Sequence, residues 1–347
     1  MNSPEAVQTS LAAAITLGLE RGRFNEGVRL TGLNLLLTYE DGCKGSCSYC
    51  GLSRQREAAQ KTFIRVKWPT YSLEEVLSHA KEVTGQIRRV CVGMLTHRQC
   101  LDDARMVIRR FRAETDLKIS ALITPTLFKE PGELAALRDA GADRMAVAVD
   151  AATPELFERH RGRGIGGPHR WEHYWRVLDW GVAVFGPGMA GVHLVVGLGE
   201  TEEEMIRTIQ SAHDRGSVTH LFSFFPEEGS ALADWPQPPL GQYRRVQLAR
   251  YLIDEGLGHL RDMRFNARGQ LTDFGRPVGE IIARGVPFMT SGCPDETGTV
   301  ACNRPYGNER PSERFRNFPY RPTAEEVVAI EQEIWADLEP DYASRVI

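Results

Sequence analysis

The sequence predicts an α/β protein in which a parallel sheet covered by helices is partly or fully closed into a (β/α) barrel. A helical N-terminal segment precedes the barrel and a loop-and-helix extension follows it. Three observations predict this. Six short, mostly apolar, β-rich runs recur before residue 226, as strands buried on both faces require. Helical patterns separate the runs. Several of those patterns close on Gly or lie beside Pro, which stop helices.

Taken in order, residues 1–30 form the N-terminal segment, 31–240 the barrel and 241–347 the extension. The strands are LNLLLTY (33–39), RRVCVGM (88–94), KISALIT (118–124), DRMAVAVD (143–150), GVHLVVGLG (191–199) and THLFSFF (219–225). SLEEVLSHAKEVT starts a helix at Ser72, and Glu75 three residues on completes a capping box. QCLDDARMVIRRFRAE, PGELAALRDAGA, RWEHYWRVLDWG and TEEEMIRTIQSAHDRG supply further helices. After about residue 235 the alternation ends, with a long helix expected in LGQYRRVQLARYLIDEGL and a last amphipathic one in TAEEVVAIEQEIWADLE. Between them lies a stretch dense in Gly, Pro and Asn that holds two cysteines. Loops of that length without periodicity are uncommon unless functional, and Phe315, Phe318 and Tyr320 suit a packed segment better than a loose tail.

Composition bounds the function. A hydrophobic share of 42% and a charged share of 25% are those of an ordinary globular protein. The net charge of −4 gives no footprint for nucleic acid or an anionic membrane. No apolar run approaches the roughly 20 residues that span a bilayer. The first residues lack the basic n-region of a signal peptide. Seven cysteines, an odd number with three tightly grouped, suit metal binding in a reducing compartment better than a disulfide framework. A cytoplasmic protein is expected.

The grouped cysteines are Cys43, Cys47 and Cys50, in GCKGSCSYCGLS just past the first strand. Parallel barrels place their active sites at that end of the strands. Cubane iron–sulfur clusters are normally held by four thiolates; three leave one iron open, as a catalytic zinc keeps a vacancy. A zinc site with a distant fourth ligand is the alternative.

C-x3-C-x2-C after a first barrel strand, with Tyr49 before the last cysteine, resembles the radical S-adenosylmethionine (SAM) superfamily. The resemblance implies a barrel of the radical SAM type. It implies a 4Fe-4S cluster whose open iron binds the methionine end of SAM, and an electron that splits the sulfonium to a 5′-deoxyadenosyl radical. VHLVVGLGETEEEM (192–205) resembles the GLGET element of biotin synthase-like members, placing Gly197, Gly199 and Glu200 near the cofactor. FPEEGSALAD resembles their GTPLAD segment. VAVDAATPELFERHR resembles the element whose acid approaches the SAM ribose, here Asp150; a carboxylate can accept from both hydroxyls of a diol, and the alternative role for Asp150 is a helix N-cap. In VGMLTH, Gly93 and Met94 fall where backbone carbonyls meet the SAM amino group. The resemblance spans about residues 30–240.

Cys91, Cys100, Cys293 and Cys302 remain, the complement of a second iron–sulfur cluster if the strand end and the C-terminal loop meet at one barrel mouth. Ser291 and His97 are spare donors. Alternatively Cys91 is a core thiol, and Cys293 and Cys302 form a zinc or disulfide pair. In biotin synthase and lipoyl synthase an auxiliary cluster supplies sulfur to a carbon radical. This chain departs from both: KISALIT and GVHLVV hold no cysteine, and none precedes Cys43. SGCP…CNRPYGNERP instead resembles the two-component (split) lipoyl synthases. That resemblance implies an octanoyl chain amide-linked to a lysine of a carrier protein or lipoyl domain, a second radical SAM component and an electron donor. Arg161, Arg163, Arg304 and Arg310 are candidates for a basic rim toward an acidic carrier, or are simply solvated. A small-molecule sulfurtransferase, a radical SAM mutase or methylase, and a non-catalytic iron–sulfur scaffold or electron-transfer partner stay open.

Overall fold

The computed structural model describes residues 1–25, 27–56, 66–83, 85–302 and 313–338. All six expected runs form strands: β2 (Gly32–Leu37), β4 (Arg89–Gly93), β5 (Lys118–Ile123), β6 (Arg144–Asp150), β7 (Ala190–Val196) and β8 (Val218–Ser223). They lie side by side in that order, each neighbouring pair parallel. Asn34 of β2 and Phe222 of β8, from opposite ends of the row, line one cavity, so the sheet curls around it. β8 remains an edge in the strand order, and the barrel is therefore partial.

The N-terminal segment departs from the helical expectation. Among its described residues only Leu11–Thr16 is helical (α1), while β1 (Ala6–Thr9) pairs antiparallel with β2, and β3 (Thr70–Ser72) pairs with β1. Tertiary pairing decides here: β2 would otherwise expose an apolar edge, a liability that sheets cover.

Helices α2 (Leu73–Glu82), α3 (Cys100–Glu114), α4 (Pro131–Ala140), α5 (Pro154–His160), α6 (Trp171–Phe185) and α7 (Glu202–Asp214) fill the crossovers. Ser72 Oγ accepts the Glu75 amide at 3.1 Å. Thr201 and Glu204 cap α7 reciprocally. Beyond the barrel come α8 (Leu240–Asp254), the hairpin β9 (Arg264–Phe265) and β10 (Leu271–Asp273), α9 (Gly279–Ala283) and α10 (Ala324–Trp335).

The C-terminal loop does not reach the mouth that holds the grouped cysteines. It packs beneath the barrel, at the strands' N-terminal ends. Thr31 Oγ1 donates to Ala301 O at 2.8 Å, Arg89 Nε to Pro294 O at 3.0 Å, and Arg88 pairs with Asp295. Gly32 permits the approach, since a Cβ there would stand 2.6 Å from the Cys302 Cα. Cations and donors at the strand starts capture the loop's carbonyls and acid. Together with Cys293 N-terminal to Cys302 and linked to it by the Cys302 N–H to Cys293 O bond of 2.9 Å, the loop makes a floor.

Two buried arginines fasten the extension. Arg244 Nε meets Glu333 Oε2 of α10 at 2.8 Å. Arg245 meets both carboxylate oxygens of Glu202 at 2.9 and 2.6 Å and Asp337 at 2.7 Å. Removing one partner of such a pair strands the other in low dielectric. Arg245→Ala is expected to lower stability by about 3–5 kcal/mol, measured by urea unfolding of the full chain, and Arg245→Met with Glu202→Leu should recover much of the loss.

Candidate functional site: a thiol-lined barrel cavity

Past β2 the chain turns through Cys43, Cys47 and Cys50, and backbone bonds hold the turn. Lys44 N donates to Thr96 O at 2.8 Å, Ser48 N to His160 O at 2.9 Å and Arg54 N to Gly45 O at 2.9 Å. Gly45 N points at Cys43 Sγ at 3.3 Å and Leu52 N at Cys50 Sγ at 3.4 Å, donors suited to thiolates. His160 fixes the turn to the barrel: Nε2 contacts Leu198 O at 3.0 Å, so it donates, and Nδ1 accepts from Ser48 Oγ at 2.9 Å.

The three thiols open onto a cavity of about 250 Å³ lined also by Asn34, Tyr49, Cys91, Gly93, Met94, Asp150, Arg161 and His193. Burial pushes the Cys50 thiol up, reinforced by Cys47 and Cys43. Burial raises Cys47 as well, against the pull of Arg161. Burial of Cys47 and Cys50 thus disfavours their ionisation, and a bound cationic iron centre would reverse that balance. Among the described residues no three His, Cys, Asp or Glu side chains gather as for a single metal ion. Thiolates that each bind a different iron of a cubane stand further apart. Burial, convergence on one cavity and amide donors to sulfur fit the cluster.

Asp150 ends β6 with φ of 65°, a left-handed conformation uncommon outside glycine. Its Oδ2 accepts from Tyr49 Oη at 2.5 Å and Arg161 Nη1 at 2.8 Å, and a carboxylate retains acceptor capacity beyond two bonds. It does not cap α5; Thr153 does, its hydroxyl accepting the Leu156 amide at 3.2 Å. Gly93, whose Cβ would stand 3.1 Å from Leu35 O, keeps the cavity wall thin. These groups suit the SAM that the cluster would share. Gly197, Gly199 and Glu200 are not among the cavity's lining residues. Glu200 instead accepts the Gly197 and Leu198 amides at 2.6 and 2.9 Å, shaping the turn that His160 grips; burial pushes its carboxyl up to about 7.

Arg161, expected on a basic rim, is buried. It bonds the carbonyls of Ala148 and Val149 and lies against the rings of Phe157 and Tyr174. Arg163 is exposed; Arg304 and Arg310 lie outside the described residues. His169 escaped sequence reasoning. It lines the cavity and shares Nδ1 with Thr126 and Tyr174 at 2.7 Å each; burial, then Arg161 and Arg170, push it down to about 2, so it is neutral. The basic run RHRGRG and the following PHRW were the available signals.

The other four cysteines are not gathered into one set. Cys91 lines the cavity. Asn34 and Ser120 are its in-register partners on β2 and β5. Asn34 Nδ2 donates toward Cys302 Sγ at 3.5 Å, and Cys293 lies beside Ser120. Cys100 is elsewhere, at the start of α3 in the apolar core, accepting the Leu95 amide at 3.1 Å. β4 separates it from the floor by roughly 16 Å, five residues at about 3.3 Å each. The expected spare donors are also engaged elsewhere. Ser291 Oγ accepts Leu221 N of edge strand β8 at 3.2 Å. His97 Nε2 lies 3.1 Å from Asp41 Oδ1, its ring stacked on Tyr39.

A comparison with protein families matches the radical SAM superfamily over residues 38–212. The chain belongs to the radical SAM superfamily, whose members use SAM and a 4Fe-4S cluster. Among solved structures it is similar to methylornithine synthase (PylB), at 16% identity and a TM-score of 0.50, over 71% of this chain and 67% of that one. It is also similar to HydG, a maturase of the FeFe-hydrogenase, at 13% identity and a TM-score of 0.51, over 72% of this chain and 54% of that one. At these identities the likeness is one of fold. No curated protein matches the chain. No helix among the described residues is long and apolar enough to cross a membrane.

The raised thiols make a pH prediction. Cys293 is pushed up to about 11 and Cys100 to about 12, both by burial first, from an ordinary value of 9.0. The folded cluster-free chain therefore keeps protons that the unfolded chain releases, so their contribution to stability is full below about pH 9 and is lost as pH rises toward 11–12. The melting temperature of cluster-free protein should fall over that window. Cys100→Ala should flatten part of the fall.

Proposed function

We propose that this chain is a sulfur-inserting radical SAM enzyme, one component of a split lipoyl synthase acting on a protein-bound octanoyl chain. The observation that carries the reading is the position of Cys91, Cys293 and Cys302. Cys91 lines the cavity, and Cys302 and Cys293 lie next to its wall residue Asn34 and beside Ser120, while Cys43, Cys47 and Cys50 line the cavity at its mouth. Between them Leu35, Leu122, Val195 and Phe222 offer apolar walls, which suit an alkyl chain and exclude water from a reactive carbon.

When bound, the cluster held by Cys43, Cys47 and Cys50 would with SAM supply a 5′-deoxyadenosyl radical, and a centre held by Cys91, Cys293 and Cys302 would supply sulfur. The chain's own residues do the rest. Asp150, Tyr49 and Arg161 fix one side of the cofactor pocket, and the apolar walls hold the reacting carbon between mouth and floor. Such positioning lowers a barrier by pre-paying orientation. Arg163 is a candidate contact for the acidic carrier. A mutase or methylase of the same fold would need no sulfur from the floor.

The test is an octanoyl-lysyl carrier peptide with SAM and reductant, alone and with a candidate second component, read by mass for added sulfur. Sulfur on the peptide together with 5′-deoxyadenosine is expected. Deoxyadenosine with no sulfur on that peptide or on dethiobiotin would overturn the reading in favour of the mutase or methylase. Cys293→Ala or Cys302→Ala should leave SAM cleavage largely intact and remove the thiolated product, whereas Cys43→Ala with Cys47→Ala and Cys50→Ala should abolish SAM cleavage in a folded chain.

A further inference from the structure

We propose that the floor centre is a cluster held by three thiolates, from Cys91, Cys293 and Cys302, with the Asn34 side-chain oxygen facing its fourth corner. This deepens the sulfur-insertion reading and rests on its having a cluster at the floor.

The register places the pieces. Asn34, Cys91 and Ser120 are successive in-register partners across β2, β4 and β5. Neighbouring strands run about 4.8 Å apart, so these three side chains sit in one row. Cys302 arrives at the Asn34 end of that row, 3.5 Å from Nδ2. Cys293 arrives at the Ser120 end. Cys91 stands between them and faces the cavity. Three sulfurs thus bracket one stretch of wall, while Cys100 is buried in the apolar core at the start of α3.

Asn34 is the anomaly. It interrupts the run LNLLL, all of whose other members are buried leucines, and asparagine is depleted in strands. It is 8% exposed, and its Oδ1 is buried with no hydrogen-bond partner among the described residues. An unsatisfied buried acceptor is costly, so a group that takes up this oxygen offsets its burial. The other end of the same amide already donates toward Cys302 Sγ. That orientation turns Oδ1 into a neutral oxygen donor beside three sulfurs. An electropositive iron lacking a thiolate is the partner such an oxygen suits. Arg89 and Arg144 favour the thiolate form of Cys293, so three anionic ligands there have cationic company.

The experiment isolates the floor by using the full chain with Cys43→Ala, Cys47→Ala and Cys50→Ala, reconstituted anaerobically with iron and sulfide. Iron, sulfide and zinc are then assayed and Mössbauer spectra recorded. About four irons per chain are expected for a cubane, with one iron site distinct from the other three. Adding Cys100→Ala should change neither count nor spectrum. Adding Cys91→Ala should lose the cluster. Asn34→Leu, which restores the apolar run and so should fold as judged by circular dichroism, is expected to lower iron from about four to about three per chain, a cubane lacking its corner. Asn34→Cys should keep about four irons and erase the distinct site. If four irons persist with unchanged spectra in Asn34→Leu, or if Cys100→Ala removes the cluster, the Asn34 assignment is wrong while a floor cluster stands. If the starting variant binds no iron, or holds zinc without sulfide, both the assignment and the sulfur-insertion reading fall.

Discussion

The ion pair between Asp150 and Arg161 is the interaction on which the mouth of the barrel depends. Carboxylate and guanidinium meet at 2.8 Å with side chains only 14% and 8% exposed. A pair buried this far gives little net stability, but losing either partner leaves a charge without compensation. Arg161 also binds two carbonyls at the end of β6 and lies on two aromatic rings. Asp150 is thereby held in a backbone conformation that costs roughly 1–3 kcal/mol when a non-glycine residue adopts it. Tyr49, inside the cysteine turn, leans on the same carboxylate oxygen. The turn is positioned from the sheet through that contact, and His160, next to Arg161 in the chain, adds the second tether through Ser48.

A similar arrangement of charge occurs at the other end of the strands. Cys47 has Arg161 near it, and Cys293 has Arg89 and Arg144; each guanidinium opposes the burial that would keep the neighbouring thiol protonated. Parallel barrels ordinarily reserve the strands' N-terminal face for stability. Here that face carries thiols as well, because a loop from beyond the barrel, rather than the strands alone, supplies them.

Local signals were legible. The six parallel strands announce themselves because both faces are buried, which leaves nearly continuous apolar runs. Ser72, Thr201 and the Gly and Pro stops mark helix ends through bonds to residues a few positions away. Cys43, Cys47 and Cys50 are recognisable because their spacing is itself the motif. What depended on distant partners was not legible. Cys91 and Cys100 are nine residues apart, yet one faces the cavity and the other the core, since strand alternation ends and helix α3 begins between them. Ala6–Thr9 is a strand only because β2 has an edge to cover. Arg161 reads as surface charge in RHRGRG until Asp150, eleven positions earlier, is seen beside it. The floor's location was set by Thr31, Arg88 and Arg89, more than 200 residues from the carbonyls and acid they hold.

Building the underside from an appended loop has an evolutionary consequence. Strand residues that line a barrel are locked to neighbours on both sides, so exchanging them perturbs the whole wall. A loop seated on strand ends, anchored by a few side chains, can be lengthened, replaced or deleted with far less penalty. The SAM-facing half of the barrel and its lower half can therefore diversify on separate schedules. One radical generator can be fitted with different undersides, much as a common handle accepts interchangeable blades.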